Sequence, residues 1–220
     1  MTAIVIPAFN AAGTLTDLIR RVNGCVSDTE VVLVDDGSGD ATAAVAEREG
    51  ARVLRHVRNR GKGAALRTAF EFVLRRSEFE SVVTLDADLQ HIPEEVPKFL
   101  EARTRTGANL IIGARARRGT AMPFHRRLSN VVTSGLVSAR TSCDIVDSQS
   151  GFRLLGREVL EAVQIESDGY EAETEMLIKA ARKGLRIVFV PIETVYANEP
   201  SHMTHWATTK RFLKVLLQEF

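Results

Sequence analysis

The stretch VTLDADLQHIP, residues 83–93, starts with aliphatic and β-branched residues and then places polar side chains at alternate positions. Val82–Leu85 is typical of a short buried strand, and in extended chain every second side chain points the same way, about 7 Å apart. The pattern therefore predicts that Asp86, Asp88 and Gln90 share one face at the end of a strand. Such oxygen ligands suit a hard divalent cation, Mg²⁺ or Mn²⁺. The alternative is a solvated loop, and the stretch alone leaves both open.

The rest of the chain alternates short apolar runs with helical patterns. The runs are 3–6, 31–34, 52–54, 82–85 and 109–112, and the helical patterns lie at about 13–23, 40–48, 62–76 and 94–105. This rhythm predicts an α/β fold with a mostly parallel central sheet and helices on both faces. Ligands bind beyond the carboxyl ends of such strands, which here read PAFN, DDGSGD, RNRGKG and DADLQH. Four polar loops are thus expected at one edge of the sheet.

The bulk composition narrows the partners and the compartment. The 220 residues suit one large domain, 1–220. The 29 Lys and Arg nearly balance the 28 Asp and Glu, so the overall charge of the chain does not favour binding to nucleic acid. Cys25 and Cys143 have no metal-site spacing, which fits a reducing compartment. We find neither a signal-peptide pattern nor an apolar run of about 20 residues. We expect a cytoplasmic protein that attaches to a membrane at most peripherally, at its cytoplasmic face.

Two further loops carry polar residues typical of ligand binding. Asp35 and Asp36 follow a buried strand and suit hydrogen bonds from a base N–H or a ribose hydroxyl, although Asp and Gly are also common in ordinary βα loops. In RNRGKG, Lys62 opens a helix whose free N–H groups favour an anion. Neither a P-loop nor a GxGxxG fingerprint is present, which disfavours NTPase and dehydrogenase functions.

These loops, taken in order, resemble the family 2 glycosyltransferases of GT-A fold. The resemblance continues downstream, toward the dolichyl- and polyprenyl-phosphate sugar transferase branch, in GAR (113–115), RRLSN (126–130), DSQSGFR (147–153), EAETEML (171–177) and VPIETVY (190–196). It implies a Rossmann-like nucleotide-sugar half of about 1–113 and an acceptor half of about 114–220. One departure is Ala11, where the family commonly has an acid.

The resemblance also implies the roles of individual residues. A UDP- or GDP-sugar would be held by Pro7, Ala8, Asn10, Asp35, Asp36, Lys62, Asp86 and Ala87. Mg²⁺ or Mn²⁺ would be bound by Asp86, Asp88 and Gln90, with His202 as an additional ligand. The catalytic candidates are Asp86 and Asp88, together with Asp147, Glu173 and Glu175 for sugar contacts, orientation or general base catalysis. The implied reaction is sugar transfer with inversion.

The acceptor decides which of these groups the reaction needs. A polyprenyl phosphate is already anionic and needs cations rather than a base, and the candidates are Arg115, Arg126, Arg127 and Arg153. A hydroxyl acceptor would need a carboxylate base, and a non-catalytic sugar-nucleotide-binding protein is the third alternative. An apolar stripe, which suits either core packing or a membrane surface, comprises Phe124, Leu128, Val131, Val132, Gly135 and Leu136.

Overall fold

A single central sheet organises the chain. The computed structural model describes residues 1–115, 124–195 and 205–218, with side chains for all of these except 124–127 and 205–209. Among these residues, seven strands form one sheet in the order β3-β2-β1-β4-β6-β5-β7. The strands are β1 (Thr2–Ala8), β2 (Thr29–Asp35), β3 (Arg52–Arg55), β4 (Ser81–Thr84), β5 (Leu110–Arg115), β6 (Arg153–Gly156) and β7 (Ile187–Ile192).

Helices pack on both faces of this sheet. They are α1 (Ala12–Cys25), α2 (Thr42–Arg48), α3 (Lys62–Leu74), α4 (Val96–Thr106), α5 (Phe124–Thr141), α6 (Arg157–Ala162), α7 (Ala172–Arg182) and α8 (His205–Leu217). Alternate residues of β1 separate the two cores: Ile4 and Ile6 face the cluster with α1, whereas Val5 faces the cluster with α3 and α7. Full burial of each isoleucine stabilises the fold by about 1.5–3 kcal/mol. The predicted fold class is confirmed.

Strand direction brings the polar loops together. β6 pairs antiparallel with β4 and β5, and the other pairings are parallel. The carboxyl ends of β1, β2, β3, β4, β5 and β7 therefore meet the amino end of β6 at one edge. The sequence pattern did not separate β6 from the motif that precedes it. Because β6 runs antiparallel to its neighbours, the loop before Arg153 lies at the predicted site edge.

The course of the chain after β4 differs from the prediction. Extended structure through Asp86, Asp88 and Gln90 was expected, but β4 ends at Thr84 and a turn follows, in which Leu89 has φ 58°. The physical reason is local: the Asp88 carboxylate accepts the N–H of Gln90 at 3.0 Å and closes the turn. The prediction of one alternating face was wrong: Asp88 lies in the turn, with Asp86 before it and Gln90 after it.

Candidate active site

Three charged side chains form the centre of the site at the carboxyl edge. Lys62 Nζ, from the start of α3, lies 2.5 Å from Asp86 Oδ1 and 2.7 Å from Glu173 Oε1. Asp86 follows β4 and Glu173 lies in the first turn of α7. The fold therefore joins residues from three distant segments into one cluster, which we call the Lys62 cluster.

The Lys62 cluster is charged in the folded protein. Burial alone lowers the pKa of Lys62, but the charges and hydrogen bonds of Asp86 and Glu173 outweigh it and raise that pKa. For Asp86, burial acts to raise the pKa, and the Lys62 charge overrides it, so that the pKa lies below its ordinary value. One cation thus faces two carboxylates, and the cluster carries a surplus of negative charge. Such a surplus is electrostatically suited to attract a divalent cation.

Two neighbours of the cluster, Tyr170 and His91, were not proposed as site residues from the sequence. Lys62 Nζ lies 5.7 Å from the centroid of the half-exposed Tyr170 ring, a cation–π contact. His91 is buried, with Nε2 3.9 Å from Asp86 Oδ2, and burial lowers its pKa to about 4, so the imidazole is neutral near pH 7. Both residues stand beside quoted motifs, in GYEAE and DADLQH. Their proximity follows from the tertiary fold alone.

Gly151 leaves the space that the Lys62 cluster occupies. A Cβ at this position would lie 2.6 Å from Asp86 Oδ2, 2.9 Å from Glu173 Oε1 and 2.9 Å from Lys62 Nζ. Each of these atoms is the end of a side chain, so the cluster would have to rearrange rather than the backbone. The glycine of DSQSGFR therefore fixes where the charges sit.

We expect Gly151→Ala to lower kcat about tenfold or more while the free energy of unfolding falls by about 1–3 kcal/mol, the usual range for overpacking. Steady-state kinetics and urea unfolding measure the two effects. Gly135→Ala is the matched control, because no atom lies within 4 Å of a Cβ built there. Unchanged kcat in Gly151→Ala would show that the geometry of the cluster does not matter.

The first two strand-end loops are joined by hydrogen bonds at the predicted nucleotide side. Asn10, with φ 51°, donates its N–H to Ser38 Oγ at 2.9 Å and accepts the N–H of Gly39 at 2.9 Å. The N–H of Ala11 is bound by Thr42 Oγ1 at 2.8 Å. Pro7 and Ala8 end β1, and Asp35 Oδ1 accepts the N–H of Ser38 at 2.9 Å. Ala87 lies across the site, where its carbonyl accepts the Thr14 hydroxyl at 2.5 Å.

Asp36 is the anion at the start of α3. Its carboxylate accepts the N–H groups of Arg60 at 2.9 Å and Gly61 at 2.7 Å, and it lies 2.6 Å from His56 Nδ1. Two residues further along, the N–H of Gly63 donates to the Asp168 carbonyl at 2.7 Å. The sequence favoured an external anion here, whereas these donors are satisfied within the chain. Asp36, which is 4% exposed, holds the loop that presents Lys62.

Asp147 lies in a second group, between β5 and α5. It accepts two bonds from the Arg115 guanidinium, at 2.8 and 3.0 Å, and one from Asn130 Nδ2 at 2.8 Å. Burial acts to raise the pKa of Asp147, but Arg115 outweighs it and holds the pKa below its ordinary value. Asp147 is fully buried, whereas the Arg115 side chain keeps 20% exposure. The pair thus positions a partly exposed guanidinium.

Arg153 and Glu175 lie in the interior. Arg153 is 1% exposed and donates to the carbonyls of Ser148, Ser150 and Glu173. Glu175 is also 1% exposed, is paired with Lys179 at 2.6 Å, and accepts the N–H groups of two residues in the loop before α7. Direct contact of either side chain with a ligand would require these networks to open.

The remaining predicted residues lie in or beside the acceptor half. The backbone of Arg126 and Arg127 is in the first turn of α5, but their side chains, like that of Phe124 and all of His202, fall outside the described residues. The rest of the apolar stripe faces solvent: Leu128, Val131, Val132 and Leu136 are 41–53% exposed. Leu213 and Leu217 of α8 are exposed as well. No helix within the described residues is both long and apolar enough to span a bilayer.

Comparisons with known proteins show which family the sequence and the fold resemble. A family model described as Glycosyl transferase family 2 matches residues 3–164. An undecaprenyl-phosphate mannosyltransferase of Micrococcus luteus is 33% identical over 202 residues, which cover 87% of this chain and 82% of that protein. A polyprenol monophosphomannose synthase of Mycolicibacterium smegmatis is 30% identical over 203 residues, which cover 87% and 76%.

Among solved structures, glucosyl-3-phosphoglycerate synthase of Mycobacterium tuberculosis, in complex with Mn²⁺, uridine diphosphate and phosphoglyceric acid, has the same fold. The TM-score is 0.80 at 26% identity, over 99% of this chain and 77% of that one. The family model covers well over half of the sequence, and its description agrees with the resemblance that the motifs indicated. The chain is therefore a glycosyltransferase, and it belongs to glycosyl transferase family 2.

Proposed function

We propose that this enzyme transfers a sugar from a nucleotide donor to a polyprenyl phosphate, with inversion and with the help of a divalent cation. One observation carries the choice of acceptor. The exposed apolar face of α5 lies on the helix that carries the Arg126–Arg127 pair in its first turn. An apolar face beside cations suits a lipid chain that ends in a phosphate. Two relatives named for polyprenyl-phosphate substrates support the same choice.

The donor side offers a set of ligands for Mg²⁺ or Mn²⁺. Asp86 and Asp88 supply carboxylates and Gln90 an amide oxygen, the donor types that hard cations prefer. Within the described residues, no three His, Cys, Asp or Glu side chains gather as a metal site, so the donor diphosphate would complete the set. A bound cation stabilises negative charge on the departing nucleoside diphosphate. His202 stays a prediction as an additional ligand.

The residues around the donor have separable tasks. Two loops form the nucleotide side: one carries Pro7, Ala8 and Asn10, and the other carries Asp35. Asp36 holds the backbone of the Arg60–Gly61 segment. Lys62 brings a permanent positive charge to the place where the diphosphate would lie. Glu173 is a buried carboxylate of the Lys62 cluster, and it can accept a sugar hydroxyl once Lys62 turns to the phosphates.

On the acceptor side, the phosphate needs cations and no general base. Arg115, Arg126 and Arg127 are its proposed ligands, and Asp147 orients Arg115 through two hydrogen bonds. Arg153 was predicted as a fourth ligand, but its burial favours a positioning role for the loop before β6. The exposed stripe of α5 would rest on the membrane that contains the lipid.

We expect Arg126→Gln with Arg127→Gln to raise the apparent KM for a short polyprenyl phosphate about tenfold or more, and the KM for the nucleotide sugar less than about twofold, because the lost contacts belong to the acceptor. The assay compares a panel of UDP- and GDP-sugars on this acceptor, on phosphoglyceric acid and on an uncharged alcohol.

A matched control removes two cations elsewhere: Arg105→Gln with Lys183→Gln, both exposed and located where β5 and β7 begin. Transfer to the uncharged alcohol, together with unchanged KM values in the Arg126→Gln, Arg127→Gln variant, would instead identify a hydroxyl acceptor. If nucleotide binding were intact but neither hydrolysis nor transfer occurred across the panel, the proposed reaction would be contradicted.

A further inference from the structure

A cavity of about 610 Å³ lies next to the candidate active site. Its walls come from three segments: the loop that precedes α3, the loop that precedes α7, and the second half of α8. The volume falls within the range of small-molecule sites. None of the residues assigned above to the donor, the cation or the acceptor lines this cavity.

The charges around the cavity favour an anion. Arg60, Arg211 and Lys214 are exposed at its rim and make no ion pair within the described parts of the chain. Of the lining carboxylates, Asp168 is paired with Arg67, whereas Glu166 shares the Lys179 ammonium with the buried Glu175. Glu171, which accepts the N–H of Gly169 at 3.3 Å, is the remaining acid of the lining. Positive charge is therefore in excess at this rim.

The residue types indicate phosphate. Two guanidinium groups and one ammonium group can bind several oxygens of a single phosphate, and arginine does so through paired hydrogen bonds. Asn59, Ser167 and Gln218 add neutral hydrogen-bonding groups for the remainder of the ligand, and the buried Val215 supplies an apolar surface. The volume suits a small phosphorylated molecule or the headgroup of one lipid.

The cavity shares a wall with the Lys62 cluster. The Arg60–Gly61 segment lines the cavity, while its two N–H groups are held from the other side by Asp36, at 2.9 and 2.7 Å. Lys62 follows directly, and the N–H of Gly63 is held by the carbonyl of Asp168, a lining residue, at 2.7 Å. We infer that this cavity binds a phosphate-bearing anion and that its occupancy is coupled to the loop that presents Lys62. The coupling rests on the proposed donor site, whereas the binding does not.

The test measures binding with neither donor nor acceptor present. Inorganic phosphate and glycerol 3-phosphate are titrated into the protein by calorimetry, and sedimentation compares phosphatidylcholine vesicles with and without phosphatidylglycerol. The cavity variant is Arg211→Gln with Lys214→Gln, and the control is again Arg105→Gln with Lys183→Gln. We expect the cavity variant to weaken binding about tenfold, and the control to change it less than about twofold.

The calorimetry and the vesicle sedimentation together test whether the cavity binds a phosphate-bearing anion. Saturable binding of either soluble phosphate, weakened by the cavity variant alone, supports a free anion as ligand. Binding only to vesicles with phosphatidylglycerol, with the same dependence on the variant, supports a lipid headgroup. Equal binding by the cavity and control variants in both arms overturns the site. Coupling predicts that saturating phosphate changes the Kd for a nucleoside diphosphate about fivefold or more in the wild type only, and an unchanged Kd overturns it.

Because these measurements need no turnover, a failed transfer reaction would not affect them. An absent anion site would equally leave the transfer assay untouched.

Discussion

Asp88→Asn is expected to lower kcat about 100- to 1,000-fold and to leave the free energy of unfolding within about 1 kcal/mol of the wild type. The structure explains why kcat should fall while the free energy of unfolding hardly changes. The Asp88 oxygen that closes the turn accepts the N–H of Gln90, and the asparagine side-chain oxygen can accept the same bond. The substitution thus removes a negative charge that a divalent cation requires and keeps the turn.

Turnover is measured at saturating donor in Mg²⁺ and in Mn²⁺, and stability by urea unfolding. Asp40→Asn is the control, since Asp40 also accepts a local N–H, from Thr42 at 2.9 Å, and has no proposed role at the cation. Wild-type turnover in the presence of excess chelator, or in Asp88→Asn, would contradict a metal-dependent reaction.

Glu173→Gln is expected to lower mainly kcat and Glu175→Gln mainly the free energy of unfolding, although the two residues lie in the same turn of α7. Glu175→Gln leaves the buried Lys179 ammonium with only the exposed Glu166 carboxylate, at 2.7 Å, and gives one of two part-buried N–H groups a poor acceptor. We expect a loss of about 3 kcal/mol in the free energy of unfolding. Glu173→Gln should keep most of the stability, because Lys62 retains Asp86, and should lower kcat about tenfold or more.

The Glu175 pair also predicts a pH dependence. Burial acts to raise the pKa of Glu175, but its bonds to Lys179 and Ser167 outweigh burial and hold the pKa below the ordinary value. The unfolded chain therefore binds this proton more tightly, so that the stabilisation is complete above the unfolded pKa of about 4.3 and is lost as the pH falls below it. Urea unfolding between pH 7 and pH 3 should show a shallower loss in Glu175→Gln. If the free energy of unfolding fell equally steeply with pH in the wild type and in Glu175→Gln, other carboxylates would dominate the pH dependence.

Local patterns predicted the first five strands of the sheet but not β6. β1 and β2 are apolar runs bounded by turn residues, which is why their positions were evident. β6 has four residues and follows directly on a polar motif, and its partners lie in β4 and β5, far along the chain. The turn at Asp88 was missed because an aspartate that closes a turn and one that ends an extended strand have the same sequence pattern.

The candidate site was predictable in residue type rather than in arrangement. Lys62, Asp86 and Glu173 were each assigned a role, but their mutual contact depends on the tertiary fold. A motif also cannot distinguish a charge that meets a ligand from one that supports the interior. Glu173 lies at the Lys62 cluster, whereas Glu175 holds the loop before α7.

The position of β6 has a consequence for how the chain acquires its structure. β4 and β5 lie on either side of this strand and share no hydrogen bonds with one another. During synthesis from the amino terminus, the first four strands can pair early, but the edge of β4 stays open until residue 156 has emerged. An unpaired, apolar edge of this kind invites pairing with other chains. The slow, long-range closure of the sheet is therefore the step at which chaperone protection would matter most.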